Sequence, residues 1–425
     1  MTCFLTGLVI FTYVYNIPFT NMPISGSKIV VLMLLMYLTV KRNHIVLQQP
    51  KQKLVVLVFL VLFYSELIRC INSSSDLSIS YTLVLFLVNH IVGSMLIVVL
   101  LKSQGKLTIE DMARMLVWIA TAQAILILLT ILSGDIYRWV ADFARLETRN
   151  SIYQRYNGAR GYGLAASITY DLAVVQSFSL IFIVYLMQRT KKKIRYAAAY
   201  LLIVISIVVT GRTGVIGIFL SGLYYLKVNR KNTHKLLLYM LLVLAIVILG
   251  GICIFYTHTE EGILSSVRAY FFESIDNFIQ TGRFSSATSD NLLVMVKSMR
   301  GVSLKTWLIG DGWYKGEERL YYKNVDIGYF RHIYYFGLIG CILVFLIYYY
   351  IYKKGLQSCR DRDFCLVWKT LFFYLLLAHF KGDFVLACGM GISVVMLLFL
   401  TLLEVKTENE KSFNCKPRKI SQSWR

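Results

Sequence analysis

The chain has 425 residues, 57% of them hydrophobic and only 16% charged, with a mean hydropathy of +0.61. A soluble domain carries about 25% charged residues, so a water-soluble multidomain protein is excluded and most of the chain must dissolve in lipid. The formal net charge of +22, from 45 Lys and Arg against 23 Asp and Glu, sits beside too little soluble surface to form a nucleic-acid groove, and reads as membrane topology.

About 20 apolar residues span a bilayer as a helix. On that measure the sequence predicts helices over 3–18, 27–41, 54–71, 80–101, 115–133, 163–187, 196–210, 212–227, 236–256, 332–352, 366–380 and 384–404. Four prolines and long Leu, Ile, Val, Phe and Tyr runs, rather than strict alternation, favour helices over a β-barrel. The expected fold class is an all-α polytopic membrane protein of about twelve transmembrane helices with two long extracytoplasmic loops. Its parts are helices one to five (1–133), an outer Arg-rich loop (134–162), helices six to nine (163–256), a large outer loop (257–331), helices ten to twelve (332–404) and a basic tail (405–425). The first apolar run lacks a basic leader and a small-residue cleavage site, so it is expected to be a retained helix.

Lys and Arg test this map independently. With both termini cytoplasmic, the inner segments 41–53, 102–114, 188–195, 227–235 and 353–365 and the tail are all rich in Lys and Arg. The short outer turns near 19–27, 72–79 and 381–383 hold only Lys381. The two long outer loops break the pattern: 134–162 has Arg138, Arg145, Arg149, Arg155 and Arg160 with no lysine, and 257–331 includes Arg268, Arg283, Arg300, Arg319 and Arg331. Arginine grips phosphate in two places where lysine is a point charge, which suggests an anionic ligand; attraction to anionic headgroups is the alternative.

Eight scattered cysteines without C-x-x-C, and six dispersed histidines, suggest no disulfide framework, metal site or cofactor. Three other segments stand out. Thr210-Gly211-Arg212-Thr213-Gly214 interrupts an apolar stretch, where an arginine needs a partner or must snorkel to the headgroups. Arg155-Tyr156-Asn157-Gly158-Ala159-Arg160-Gly161-Tyr162-Gly163 runs into a helix start, which can bind anions. The large loop carries Thr281-Gly282-Arg283-Phe284, an amphipathic helix near 288–300, Leu308-Ile309-Gly310-Asp311-Gly312, and Asp326-Ile327-Gly328-Tyr329 leading to Tyr335-Phe336-Gly337-Leu338-Ile339-Gly340. Read without a ligand, Gly310 and Gly312 are turn glycines and Asp326 is a helix N-cap.

The order of these pieces resembles the Wzy family of O-antigen and capsular polysaccharide polymerases, with the O-antigen ligases close behind. The resemblance spans roughly 134–345 and rests on Arg160-Gly161, Gly211-Arg212-Thr213-Gly214, Gly282-Arg283-Phe284, Ile309-Gly310-Asp311-Gly312, Asp326-Ile327-Gly328-Tyr329 and Gly337-Leu338-Ile339-Gly340. Ligases typically show a His-Asn pair where this chain has Asp326, which favours polymerase. The resemblance implies a metal-independent glycosyltransferase in the bacterial cytoplasmic membrane, acting on undecaprenyl-diphosphate-linked oligosaccharide at the outer face. A chain-length regulator and a flippase are its implied partners. Arg160, Arg212 and Arg283 are the candidates for the diphosphate clamp, and Asp326, then His332, for the base or sugar-orienting group. Tyr153, Tyr156, Trp307, Trp313 and Tyr314 are candidates for stacking on sugars, or belong to interfacial aromatic belts. The competing classes are a lipid-linked oligosaccharide flippase, against which the absence of internal repeats and the long outer loop count, and a non-catalytic assembly protein.

Overall fold

The computed structural model describes residues 2–40, 49–105, 107–144, 161–167, 170–229, 273, 276–283, 285–316 and 321–414. Their regular structure is helical, with only two isolated β-bridges, Phe19 with Ala144 and Lys315 with Tyr321.

In chain order the main helices are α1 (Thr2–Tyr15), α2 (Gly26–Val40), α3 (Gln49–Ile71), α4 (Ser78–Ser103), α5 (Ile109–Leu132), α6 (Gly134–Phe143), α7 (Tyr170–Met187), α8 (Lys193–Thr210) and α9 (Val215–Val228). After them come α10 (Ala287–Ser298), α11 (Leu304–Ile309), α12 (Gly328–Ser358), α13 (Arg362–Ala378) and α14 (Gly389–Asn414). Among the described residues, α3, α4, α5, α8, α12 and α14 are long and apolar enough to cross a membrane; α1, α2, α7 and α9 are shorter apolar helices. The molecule is a helical membrane protein. The ninth expected span, 236–256, lies outside the described residues.

Helix α7 is the centre. Residues Leu172–Leu186 are buried on every side, as an all-round apolar helix must be when surrounded by others, and α5, α8, α9, α13 and α14 pack around it. Between apolar helices in lipid the attraction comes from close packing, which small residues permit. Gly217 of α9 lies so close to Ser177 of α7 that a side chain there would collide.

Polar contacts sort the helix ends into two sets. At one end, called the tail end, Lys51 and Lys102 meet Glu404 at 3.5 and 2.7 Å. There too, Arg189 reaches Glu110, Asp361 and Asp363 at 3.1, 2.7 and 3.4 Å, and Thr6 bonds to Gln104. Among the described residues, parts of the segments 41–53, 102–114, 188–195 and 353–365, which the Lys and Arg pattern assigns to one membrane face, therefore meet at one end of the bundle. The opposite end carries the turn 72–77, the loop helices α10 and α11, and the turn 379–388.

Several boundaries differ from expectation: the fifth helix opens at Ile109 rather than 115, the twelfth runs Gly389–Asn414 rather than 384–404, and two others bear on the site. The sixth span starts at Tyr170, because 161–167 is irregular backbone tied to α5: Thr130 Oγ1 exchanges hydrogen bonds with the backbone N–H and C=O of Tyr162. The tenth helix starts at Gly328 instead of 332, so Asp326 lies two residues before it and His332 lies inside it. The amphipathic loop helix is present as α10, opened by a capping box from Ser286 and Ser289.

Candidate functional site

The site end is built around a kink. Gly337 interrupts α12 with φ 63° and ψ −175°, a conformation open only to glycine. The interruption frees carbonyls of the preceding turn for other donors. Those of Tyr334 and Tyr335 accept hydrogen bonds from the backbone N–H groups of Asp311 and Gly312 at 2.6 and 3.1 Å. The loop reaches them because Gly310 and Gly312 also have positive φ (79° and 70°). The two glycine motifs of the sequence, 309–312 and 337–340, are thus halves of one backbone contact.

The loop is clamped from the other side by the turn after α3. Ser74 Oγ donates to the Gly312 carbonyl at 2.7 Å. Asp76 accepts from the backbone N–H groups of Tyr314 and Lys315 at 2.6 and 2.8 Å, and from Ser78 at 2.9 Å. Burial alone would push the Asp76 carboxyl up, but the hydrogen bonds from Ser78, Lys315 and Tyr314 hold it below its ordinary value. Asp311 accepts from Thr306 Oγ1 at 2.6 Å and pairs with Lys323 at 3.4 Å. Both loop carboxylates are structural anchors.

The clamp presents Tyr314 to the bundle interior. Its hydroxyl donates to Asp383 Oδ2 at 2.7 Å, and the same oxygen lies 2.9 Å from His332 Nε2. Asp383 Oδ1 accepts from the backbone N–H groups of Val385 and Leu386 at 3.2 and 2.9 Å. Beside it His379 Nδ1 accepts from the Phe384 N–H at 3.2 Å. Asp383, His332 and His379 are fully buried. The Arg331 guanidinium is sandwiched between the rings of Tyr314 and Tyr321, 3.9 and 3.8 Å from their centroids, and is itself buried.

Two histidines and a carboxylate with atoms within 4.8 Å of one another have the composition of a metal set. The fit fails on two counts. Four donors already occupy Asp383 and a backbone N–H occupies His379 Nδ1. The outer nitrogens, His332 Nδ1 and His379 Nε2, have no partner, whereas a metal-bound histidine almost always donates its other N–H to an acceptor. The cluster reads instead as a Tyr–Asp–His network that fixes the ring of His332.

Asp326 stands at the edge of this network. It is half-buried, covered by α10, whose Met295 sulfur receives its backbone N–H at 3.4 Å. Its Oδ1 has no partner. It does not cap α12: Ile327 holds that position and no side-chain capping bond forms. The N-cap reading of Asp326 is therefore replaced by that of an uncommitted carboxylate. Burial raises its affinity for a proton, while Arg331 and Lys381 lower it and Asp383 raises it further.

Of the sequence-derived residues, His332 is bonded to Asp383, and Asp326 feels the charges of Asp383, Arg331 and Lys381. Arg160 lies outside the described residues. Its neighbour Gly161 donates its N–H to the Val209 carbonyl at 3.3 Å, so that element abuts the 210–214 hairpin. Arg212 opens the short 3-10 turn Arg212–Gly214, described by its backbone, and the adjoining Thr213 carbonyl accepts from Tyr374 of α13 at 3.1 Å. Arg283 is exposed after the helical turn 276–281. Tyr314 is no sugar platform, since one face covers Arg331 and its hydroxyl is engaged. Sequence reading missed Asp383 and His379, which it placed in a short outer turn and at a span end. The available signal was an acidic residue set between two apolar spans, a costly position that calls for a partner.

The chain matches no family model, no curated protein and no solved structure.

Proposed function

We propose that the protein is a polysaccharide repeat-unit polymerase, a glycosyltransferase that passes a growing glycan from undecaprenyl diphosphate to the terminal sugar of a lipid-linked repeat unit at the outer face of a bacterial cytoplasmic membrane. The observation that carries this reading is a half-buried carboxylate, Asp326, whose Oδ1 has no hydrogen-bond partner and which feels the charges of Arg331 and Lys381 at the loop end of an apolar bundle. The order of the glycine and arginine motifs supports it.

The transfer needs few parts. An acceptor hydroxyl oxygen attacks the anomeric carbon, the C–O bond to the diphosphate breaks, and the bonding pair leaves on the diphosphate. The hydroxyl proton passes to a base. Asp326 suits that role better than His332, because His332 is fully enclosed and turns one nitrogen to Asp383. Guanidinium groups aimed at the leaving diphosphate stabilise the charge that develops there, a role assigned to Arg160, Arg212 and Arg283. The tail end, with its Lys and Arg, faces the cytoplasm in this reading, as do both termini.

The test is to give purified protein a synthetic undecaprenyl-diphosphate repeat unit and separate the products by size. A ladder of glycans in steps of one repeat supports the proposal. Unchanged substrate, or movement of the intact lipid across a vesicle membrane, favours the flippase reading and overturns it.

A further inference from the structure

A second polar feature lies at the tail end, away from the candidate site and independent of the proposed activity. A cavity of about 340 Å³ is lined by Arg114, Trp118, Thr190, Lys192, Arg195 and Tyr196. It lies between the first turns of α5 and the start of α8. Arg114 is paired with Asp111 at 2.9 Å. Among the described residues no carboxylate pairs with Lys192 or Arg195, because the nearby Glu110, Asp361 and Asp363 are all drawn to Arg189. The cavity therefore has a surplus of positive charge and a ring wall, with Trp118 and Tyr196 tilted against each other at 6.2 Å.

What lies beyond the cavity identifies the ligand class. On α5 the exposed positions are Arg114, Trp118, Ala122, Ile125 and Leu132, one continuous stripe at helical spacing. On α8 they are Lys193, Ile194, Arg195, Ala198, Leu201 and Ile205, of which Ile194, Ala198, Leu201 and Ile205 form a second such stripe. The first starts at the cavity residues Arg114 and Trp118, the second runs beside the cavity residue Arg195, and both are wholly apolar beyond them. Cations at the mouth, amphipathic rings at the level where headgroup meets hydrocarbon, and apolar stripes below match an acidic headgroup with its acyl chains. A free phosphate ion would use the cations and leave the stripes without a role.

We propose that this cavity binds the headgroup of an anionic phospholipid of the surrounding membrane, with the acyl chains lying along the exposed stripes of α5 and α8. The full chain, purified in detergent, is offered phosphatidylglycerol or phosphatidylcholine at equal concentration, and retained lipid is counted by native mass spectrometry. The wild type is expected to retain phosphatidylglycerol preferentially. A cation near an anionic lipid surface contributes about fivefold in affinity, so Lys192→Gln with Arg195→Gln should weaken retention roughly 25-fold, with no change in thermal unfolding in lipid-free detergent. Equal retention of the two lipids by the wild type overturns the proposal whatever the variant does. So does undiminished phosphatidylglycerol binding by a folded double variant. Displacement of phosphatidylglycerol by millimolar inorganic phosphate with equal thermal stabilisation would make this a phosphate site and overturn the lipid assignment.

Discussion

Gly310 and Gly337 lie back to back: a Cβ on Gly310 would strike the carbonyl of Tyr335, and a Cβ on Gly337 would strike that of Leu308. Both also have positive φ. This contact joins the large loop to the tenth predicted span and brings Tyr314 and Asp311 to the places they occupy. Left-handed backbone strain alone costs about 1–3 kcal/mol for a non-glycine residue, and the collisions add to it. Gly310→Ala and Gly337→Ala should each lower the unfolding temperature by several degrees or prevent recovery of monodisperse protein. Gly301→Ala, where a Cβ meets nothing within 4 Å, should be close to neutral. Equal stability of all three variants in a thermal scan would contradict the contact.

Much of the bundle was legible in hydropathy because each span must bury its own backbone polar groups in lipid, which imposes long apolar runs. The Lys and Arg pattern also grouped Lys102, Glu110, Arg189 and Asp361 on one side, and they meet at the tail end. The glycine motifs were legible as punctuation but not as partners, since nothing in a linear reading says that 310 faces 337. The Tyr314–Asp383–His332 network was hidden for the same reason: Asp383 is 51 residues from His332 in sequence and sits in a turn whose burial depends on helices from both halves of the chain.

The Lys and Arg pattern of the sequence predicts accessibility. With reactive native cysteines replaced, a cysteine at Thr288 on α10 should be labelled by an impermeant reagent from outside intact cells, and one at Thr233 should not. Labelling of Thr233 from outside would contradict the orientation that this pattern assigns.

Arg331 is held by the faces of two tyrosines, a geometry that suits a planar guanidinium and not an ammonium. Arg331→Lys keeps the charge and loses the stacking. It should reduce polymer formation about tenfold or more while the protein remains abundant in the membrane. A wild-type rate from Arg331→Lys would remove the sandwich from the functional account.

Burial raises the proton affinity of Asp326, and Arg331 and Lys381 oppose that effect. A base must be ionised to act, so activity should fall on the acid side at a pH above the ordinary carboxylate range. The sign for stability is the reverse, since the folded state favours the protonated acid and is relieved as pH falls through the raised value. Lys381→Gln removes one stabilising cation and should move the acid limb of the rate profile to higher pH. A limb that stays in place or moves down would contradict the assignment of that limb to Asp326.

The most direct test is the isosteric change at Asp326. Asn keeps the shape and one acceptor oxygen, but puts an N–H donor in place of the other and loses the capacity to take a proton. Purified Asp326→Asn protein, supplied with a synthetic undecaprenyl-diphosphate repeat unit beside the wild type, should bind the lipid substrate normally, remain folded and yield no glycan ladder. A ladder of near-normal yield from Asp326→Asn would contradict the central claim that this carboxylate takes part in the transfer.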